Sequence, residues 1–413
     1  MSRVTIVGGA GFIGRNVAAA LAARGQMVRV LSRAECDLAS FNADEAARAL
    51  ADSDCVVNCA GLVRARKGES LDAVHAQGTA LLAESCRRAG VRRLIHLSAL
   101  GADAAGGTDY QRSKGRGEAL LETARDFDVC VVRPSLVIGR GGASTALFGA
   151  LAALPVVPRF GVVSGAVQPI AIDDLCDLVA RMVEREGELP RRLDAVGPEP
   201  MSVDELVEVL GAWLGVPRRM SIRLSGWALA GLARVAEILR LGPINRETLA
   251  MLRAGNVSDP APIRVALGRA PQMVDQALAR NPAAPADRLQ ARLYFVQPLL
   301  RLSLAVLWVA TGLLSFGLYP AGKSFDLLRE IGLHGWPAVL ALYGGACLDL
   351  LLGLLLLAGQ RTKTVGVMML ASMAVFSALA LRLPADFWLH PFAPLLKNLP
   401  IFAAILALMA MEA

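Results

Sequence analysis

Arg3-Val4-Thr5-Ile6-Val7-Gly8-Gly9-Ala10-Gly11-Phe12-Ile13-Gly14 is the stretch that decides the fold. A short apolar run that ends in glycines reads as a buried strand. The residues after it, Phe12 to Arg24, carry a helical pattern that stops at Gly25. Strand, glycine turn and helix together make a cradle for a pyrophosphate. Gly8 allows the tight turn, Gly11 lets backbone approach phosphate, and Gly14 permits close helix–sheet packing. The helix N-terminus, with Phe12 and Ile13 in its first turn, offers free N–H groups and a partial positive charge.

Outward from this turn the pattern repeats. Further strands are expected at Met27–Leu31, Cys55–Cys59, Arg93–Leu97, Val129–Arg133 and Leu193–Val196. Helices are expected at Ala43–Leu50, Leu71–Ala89, Ser113–Asp126 and Asp174–Glu184. Such βαβ alternation predicts an α/β fold, a doubly wound parallel sheet wrapped by helices. Residues 198–280 read as mostly helical, and Asn281-Pro282-Ala283-Ala284-Pro285 as a linker.

Composition divides the chain. It is 54% hydrophobic and 19% charged over 413 residues, which excludes a disordered chain. From Ala291 onward there are only 8 Lys+Arg and 5 Asp+Glu. Four apolar spans are read there: Leu302–Gly322, Pro337–Leu357, Thr364–Leu381 and Phe392–Met411. A helix needs ~20 mostly apolar residues to cross a bilayer. The first three meet this, and the fourth is interrupted by Lys397 and Pro400. The expected layout is a nucleotide-binding domain over 1–280 with its substrate-binding part from about 165, a linker at 281–297, and a transmembrane bundle over 298–413.

Met1 leads straight into the first strand, so no export signal is expected and the sheet domain is placed in the cytoplasm of a multi-pass inner-membrane protein. Arg292, Arg301, Arg361 and Lys363 then lie on the inner side, in line with the positive-inside tendency. The net charge of +7 comes without a basic block interleaved with aromatics, so no nucleic-acid partner is expected. Seven scattered cysteines read as reduced core thiols, and four histidines without close spacing predict no metal.

The end of the second strand reads the cofactor's ribose. An acid there suits the 2′-hydroxyl of NAD. Here stand Ser32 and Arg33, a hydroxyl and a cation suited to a 2′-phosphate, which favours NADP(H) over NAD(H). Gly317-Leu318-Tyr319-Pro320-Ala321-Gly322-Lys323-Ser324 fits a phosphate-loop pattern letter for letter. That motif needs a preceding strand, and an apolar span precedes it, so it is rejected.

Tyr110 and Lys114 are four apart, on one face of a helix. A lysine charge beside a phenol is expected to lower the phenol's pKa. Tyr110 then exchanges a proton with a substrate oxygen while hydride moves to or from nicotinamide. Lys114 also holds the nicotinamide ribose, and Ser98 hydrogen-bonds the substrate oxygen.

These residues resemble the extended and atypical short-chain dehydrogenase/reductases, whose Rossmann-type sheet the chain is then expected to share. Gly8/Gly11/Gly14, Asp37-Leu38, Ala60-Gly61, Gly78-Thr79, Ser98, Tyr110/Lys114 and Arg133-Pro134 stand in the family order. The resemblance implies that Asp37 faces the adenine amino group, with Leu38 beside it. It also implies that Ala60 and Gly61 line the cofactor and that Pro134 to Val137 lie near the nicotinamide. Ser98-Ala99-Leu100-Gly101-Ala102, Gln168-Pro169-Ile170 with Asp173-Asp174, and Gly255-Asn256-Val257 after Pro243-Ile244-Asn245-Arg246 are similar to the epimerase/dehydratase-like branch that holds the nucleotide-binding accessory subunit of respiratory complex I. Pro394-Leu395-Leu396-Lys397-Asn398-Leu399-Pro400 resembles the DoxX-like four-helix membrane family. In two places the chain departs from the pattern. His75 stands where extended members carry Asn, and by strand register the serine position falls on Ser98 or Ala99.

Together these imply a membrane-anchored oxidoreductase or epimerase-like enzyme acting on a lipophilic small molecule. The alternative is a nucleotide-holding accessory or assembly subunit of a membrane respiratory complex. Asp349 sits mid-span, where a carboxylate costs ~2.5–3.5 kcal/mol or more and should face the bundle or stay protonated. Leu224–Leu241 reads as a helix lying on the membrane surface or packing on the sheet domain. His334 and His390 fall in outer loops.

Overall fold

The computed structural model of the protein describes residues 1–40, 42–65, 68–124, 127–161, 164–217, 219–238, 246–383 and 396–412. His390, Pro394, Leu395, the Pro243–Asn245 part of the family motif and the start of the fourth apolar span lie outside these. The chain forms two compact units, the first ending at Arg292 and the second built mainly from Leu293 onward.

The first unit is a six-stranded parallel sheet. Its strands are β1 (Arg3–Val7), β2 (Met27–Leu31), β3 (Cys55–Asn58), β4 (Arg93–Leu97), β5 (Asp128–Pro134) and a sixth, Arg192–Ala195. Their order is β2-β1-β3-β4-β5 and then the sixth. The connecting helices include α1 (Phe12–Ala23), α2 (Ala43–Leu50), α3 (Gly78–Arg88) and α4 (Asp109–Glu122). Strand side chains alternate between two cores. Val4, Ile6, Val57, Ile95, Leu97 and Val132 meet Leu175 and Val179 of the Ile172–Glu184 helix. Val7, Val56, Leu94, Val129 and Val131 meet Leu82 of α3 and Leu121 of α4. With both faces covered, the strands are apolar throughout rather than alternately polar.

The chain crosses from one side of β1 to the other between β2 and β3, a topological switch point. Val7 is in register with Leu31 on one side and Asn58 on the other, so the residues that follow all three emerge at one sheet edge. Beyond the sheet, residues 198–280 are not purely helical, because Met220–Arg223 pairs in parallel with Val156–Arg159. The Gly226–Ile238 helix does form, with Trp227 exposed.

Within the stretch read as a linker, Pro285–Leu293 is a helix that packs on the first unit. Arg288 Nε donates to Leu214 O at 2.9 Å, Arg140 pairs with Asp287 at 3.0 Å, and Ala291 is buried beside Leu214 and Ala153. Proline here begins a helix, where its missing N–H is harmless, rather than marking an open tether.

Among the described residues three helical runs are long and apolar enough to cross a membrane: Pro285–Leu318, which starts in the first unit, and Gly335–Leu357 and Thr362–Ala380 of the second. The fourth apolar helix, Asn398–Met411, has 14 residues, about 21 Å of rise against a ~30 Å hydrocarbon core. Glycines let the spans approach. A Cβ on Gly312 would stand 2.9 Å from Ala346 O, and one on Gly353 would stand 3.0 Å from Ala305 O. Glu412 pairs with Arg301, and Gln297 Nε2 donates to Met411 O at 3.3 Å. Gly317 breaks the first span with φ +137°, and the Ala321–Glu330 helix follows it. The phosphate-loop look-alike is thus preceded by a helix and not a strand.

Candidate active site

The sheet edge is built around glycine. Gly8 has φ +74°, and a Cβ there would lie 2.6 Å from Ala60 N. Only a bare Cα lets the β1 and β3 ends close on each other. Gly11 N–H donates to Gly8 O at 3.1 Å to shut the turn. A Cβ on Gly14 would lie 2.6 Å from Gly9 Cα, so α1 starts hard against the turn. No side chain caps α1 at Gly11, and no acid lies in its first turn. The first N–H groups are therefore open to an outside anion, as a dinucleotide pyrophosphate requires. Phe12 and Ile13 are half-buried, and Phe12 packs under Gly142, whose Cβ would meet its ring at 2.9 Å.

At the end of β2, Ser32 and Arg33 are exposed, and each already has an acidic partner. Glu35 accepts from Ser32 N at 2.9 Å and from its Oγ at 2.8 Å. Arg33 makes a two-pronged pair with Glu69 at 2.9 and 3.1 Å. Hydrogen bonds from Ser32 hold the Glu35 carboxyl below its usual range. Asp37 accepts from Ala39 N at 3.1 Å, and Leu38 is buried with its carbonyl against Gly78. Ala60 N donates to Asn58 Oδ1 at 3.0 Å. Pro134 O takes Leu100 N–H at 2.9 Å, and Val137 lies in a short parallel pair with Ile170.

α4 begins earlier than its pattern suggests, because Thr108 caps it by accepting from Gln111 N. Tyr110 therefore lies in the first turn. Lys114 is buried, and its Nζ donates to Leu97 O at 2.9 Å. A Cβ on Gly61 would stand 3.3 Å from that nitrogen, so Lys114 reaches the cofactor-side loop. Burial pushes Lys114 down to about 8, against the pull of Glu118. Tyr110 moves opposite to the expected direction. Burial alone pushes its phenol up to about 12, and Lys114 Nζ is held on Leu97 O instead.

Ser98 follows Leu97, and its hydroxyl donates to Glu118, which is buried and pairs with Arg133 (Nε to Oε2, 2.8 Å). One residue of register turns a strand side chain to the other face. The next position, Ala99, is half-buried and carries no hydroxyl.

His75 emerges instead as a central residue. Its Nε2 accepts Leu62 N–H at 3.0 Å and its Nδ1 meets Ser113 Oγ at 2.9 Å. Ser113 Oγ in turn lies 3.0 Å from Tyr110 O, and the His75 ring stands edge-on to the Tyr110 ring at 5.6 Å. Accepting at Nε2 fixes the Nδ1–H tautomer. Burial, then Lys114, pushes His75 down to about 3, so it is neutral. The substitution at the Asn position was visible in sequence, but its hydrogen bonds were not. Glu118 was detectable as the next step of the spacing of four through Tyr110 and Lys114.

Residues 4–194 match the NAD dependent epimerase/dehydratase family, and residues 305–406 match the DoxX-like family. The chain joins an epimerase/dehydratase domain to a DoxX-like domain. A sterol demethylase protein B of Methylococcus capsulatus is 31% identical over 167 residues, 32% of this chain and 51% of that protein. A ceramide reductase of Caulobacter vibrioides is 31% identical over 194 residues, 44% of this chain and 59% of that protein. The chain thus spans about half the length of these relatives. The fold of the epimerase/dehydratase domain is shared by the dTDP-4-dehydrorhamnose reductase of Bacillus anthracis, solved in complex with NADP. The TM-score is 0.52 at 14% identity, covering 68% of this chain and 98% of that one.

Proposed function

We propose that the protein is a membrane-associated NAD(P)(H)-dependent oxidoreductase acting on a lipophilic substrate. The observation that carries this reading is the meeting of Lys114, Gly61, His75 and Tyr110 at the same sheet edge as the uncapped glycine turn. Gly8, Gly11, Phe12, Ile13 and Gly14 hold the pyrophosphate, Asp37 and Leu38 the adenine end, and Ala60, Gly61, Lys114, Pro134 and Val137 the nicotinamide end. A bound nicotinamide dinucleotide supplies hydride to, or takes it from, the carbon bearing the substrate oxygen.

Tyr110, kept protonated at neutral pH by burial, gives its proton to that oxygen in the reducing direction. Lys114 orients the nicotinamide ribose from its anchor on Leu97 O. Ser32 and Arg33 support a preference for NADP(H), with Arg33 leaving Glu69 to meet the 2′-phosphate. The nucleotide domain is 1–280 and the membrane domain 298–413. The sheet domain faces the cytoplasm, as the basic residues Arg292, Arg301, Arg361 and Lys363 favour. Relatives named for a sterol and a ceramide support a lipid substrate.

The test is NADPH oxidation by the detergent-purified protein with keto-lipids. Wild-type turnover that is lost in Tyr110→Phe while NADPH still binds supports the reading. Turnover equal in both forms overturns it. A second reading, a nucleotide-holding accessory subunit of a membrane complex, is favoured by the capture of Ser98 by Glu118. It predicts cofactor-dependent stabilisation without Tyr110-dependent turnover.

A further inference from the structure

Inside the membrane unit the helices leave a cavity of about 460 Å³, within the range of small-molecule sites. Trp308, Phe376 and leucines make its wall apolar, and its polar groups include Thr311, Asp349, Ser372 and Asn398. The hydrogen-bonding state of these groups is specific. Thr311 Oγ1 donates to Leu307 O at 2.8 Å, and Ser372 Oγ donates to Met369 O at 2.9 Å. Their protons are used within their own helices, so toward the cavity they offer only lone pairs. Asn398 Nδ2 donates to Ser377 Oγ at 2.9 Å. Asp349 is half-buried on the cavity wall, and none of the hydrogen bonds or ion pairs found among the described residues involves its carboxyl. A carboxyl in an apolar surrounding without a partner is costly, and the cost is relieved by a ligand that donates to it.

We propose that this cavity binds a neutral lipid alcohol, with its hydroxyl on Asp349 and its apolar body against Trp308 and Phe376. The carboxyl of Asp349 selects the class. A quinone brings carbonyl acceptors and leaves the Asp349 carboxyl without a donor. A lipid amine brings a second charge into the bundle, which is penalised by desolvation. A hydroxyl donates to Asp349 and is tolerated by the apolar wall.

The experiment uses the full chain in detergent, carrying Tyr110→Phe and without nucleotide, so that binding is read apart from turnover. The probe is dehydroergosterol, a fluorescent sterol with one hydroxyl, read by energy transfer from tryptophan. The expected result is saturable transfer, weakened tenfold or more by Asp349→Leu and little changed by Thr311→Val, with Asp349→Asn near wild type. The 3-O-methyl ether of the same sterol should bind at least tenfold more weakly. If Asp349→Leu does not stay monodisperse, the methyl ether carries the test. Equal binding of the ether, unsaturable transfer, or displacement by decylubiquinone that itself depends on Asp349 would overturn the proposal.

Discussion

Ser98 donates its hydroxyl to Glu118, and Glu118 is held by Arg133. The serine is thus a support for a buried ion pair. Ser98→Ala should lower stability by about 1 kcal/mol, one hydrogen bond. Glu118→Ala strands Arg133 and should cost about 3–5 kcal/mol. Thermal unfolding of the purified protein reads the order. A Ser98→Ala protein with unchanged Tm but no turnover would return the serine to the chemistry.

His75 is pushed down from 6.5 to about 3. Between those values the unfolded chain binds a proton that the folded protein excludes, so stability falls as pH falls. The slope is up to about 1.4 kcal/mol per pH unit from this group. His75→Asn should remove that part of the acid sensitivity between pH 6.5 and 3. Unfolding midpoints at stepped pH for both proteins check this, and parallel curves would count against it.

Lys114 carries a linkage at the other end of the scale. It is pushed down from 10.5 to about 8. Over that window the unfolded chain holds the proton and the folded chain does not, so this group makes stability rise with pH from about 8 to 10.5. Lys114→Met should flatten the rise and weaken nucleotide binding tenfold or more. Denaturation curves and nucleotide titrations measure the two effects separately.

Arg33, itself exposed, is engaged by the half-buried Glu69 in a surface pair worth little in stability. Its consequence is for cofactor choice. Arg33→Ala should weaken NADPH binding about tenfold, and Glu69→Gln should strengthen it by freeing the guanidinium, with NADH affinity nearly unchanged in both. Calorimetric titration with each nucleotide decides. An Arg33→Ala protein that loses NADH and NADPH affinity equally removes the case for 2′-phosphate recognition.

Much of this was legible in the chain because backbone rules wrote it. Gly8 combines a positive φ with a close approach to Ala60, and Gly14 lies hard against Gly9, so neither has room for a side chain and the turn announces itself. The apolar runs of β1, β3 and β4 follow from a sheet covered on both faces. What stayed hidden depends on side-chain direction and distant partners. Whether Ser98 faces the cofactor or Glu118 turns on one residue of strand register. Arg33 meets an acid 36 positions away. The direction of the Tyr110 shift depended on burial, which is set by tertiary packing. The Pro285–Leu293 helix was masked by prolines and alanines that serve a tether or a helix start equally well.

The Arg301–Glu412 pair has a topological reach. It returns the last described residues to the end of the bundle where the first span begins. A fluorescent reporter spliced after Ala413 should consequently light up in the same compartment as one inserted just before Val296, and a protease added to that compartment alone should clip both.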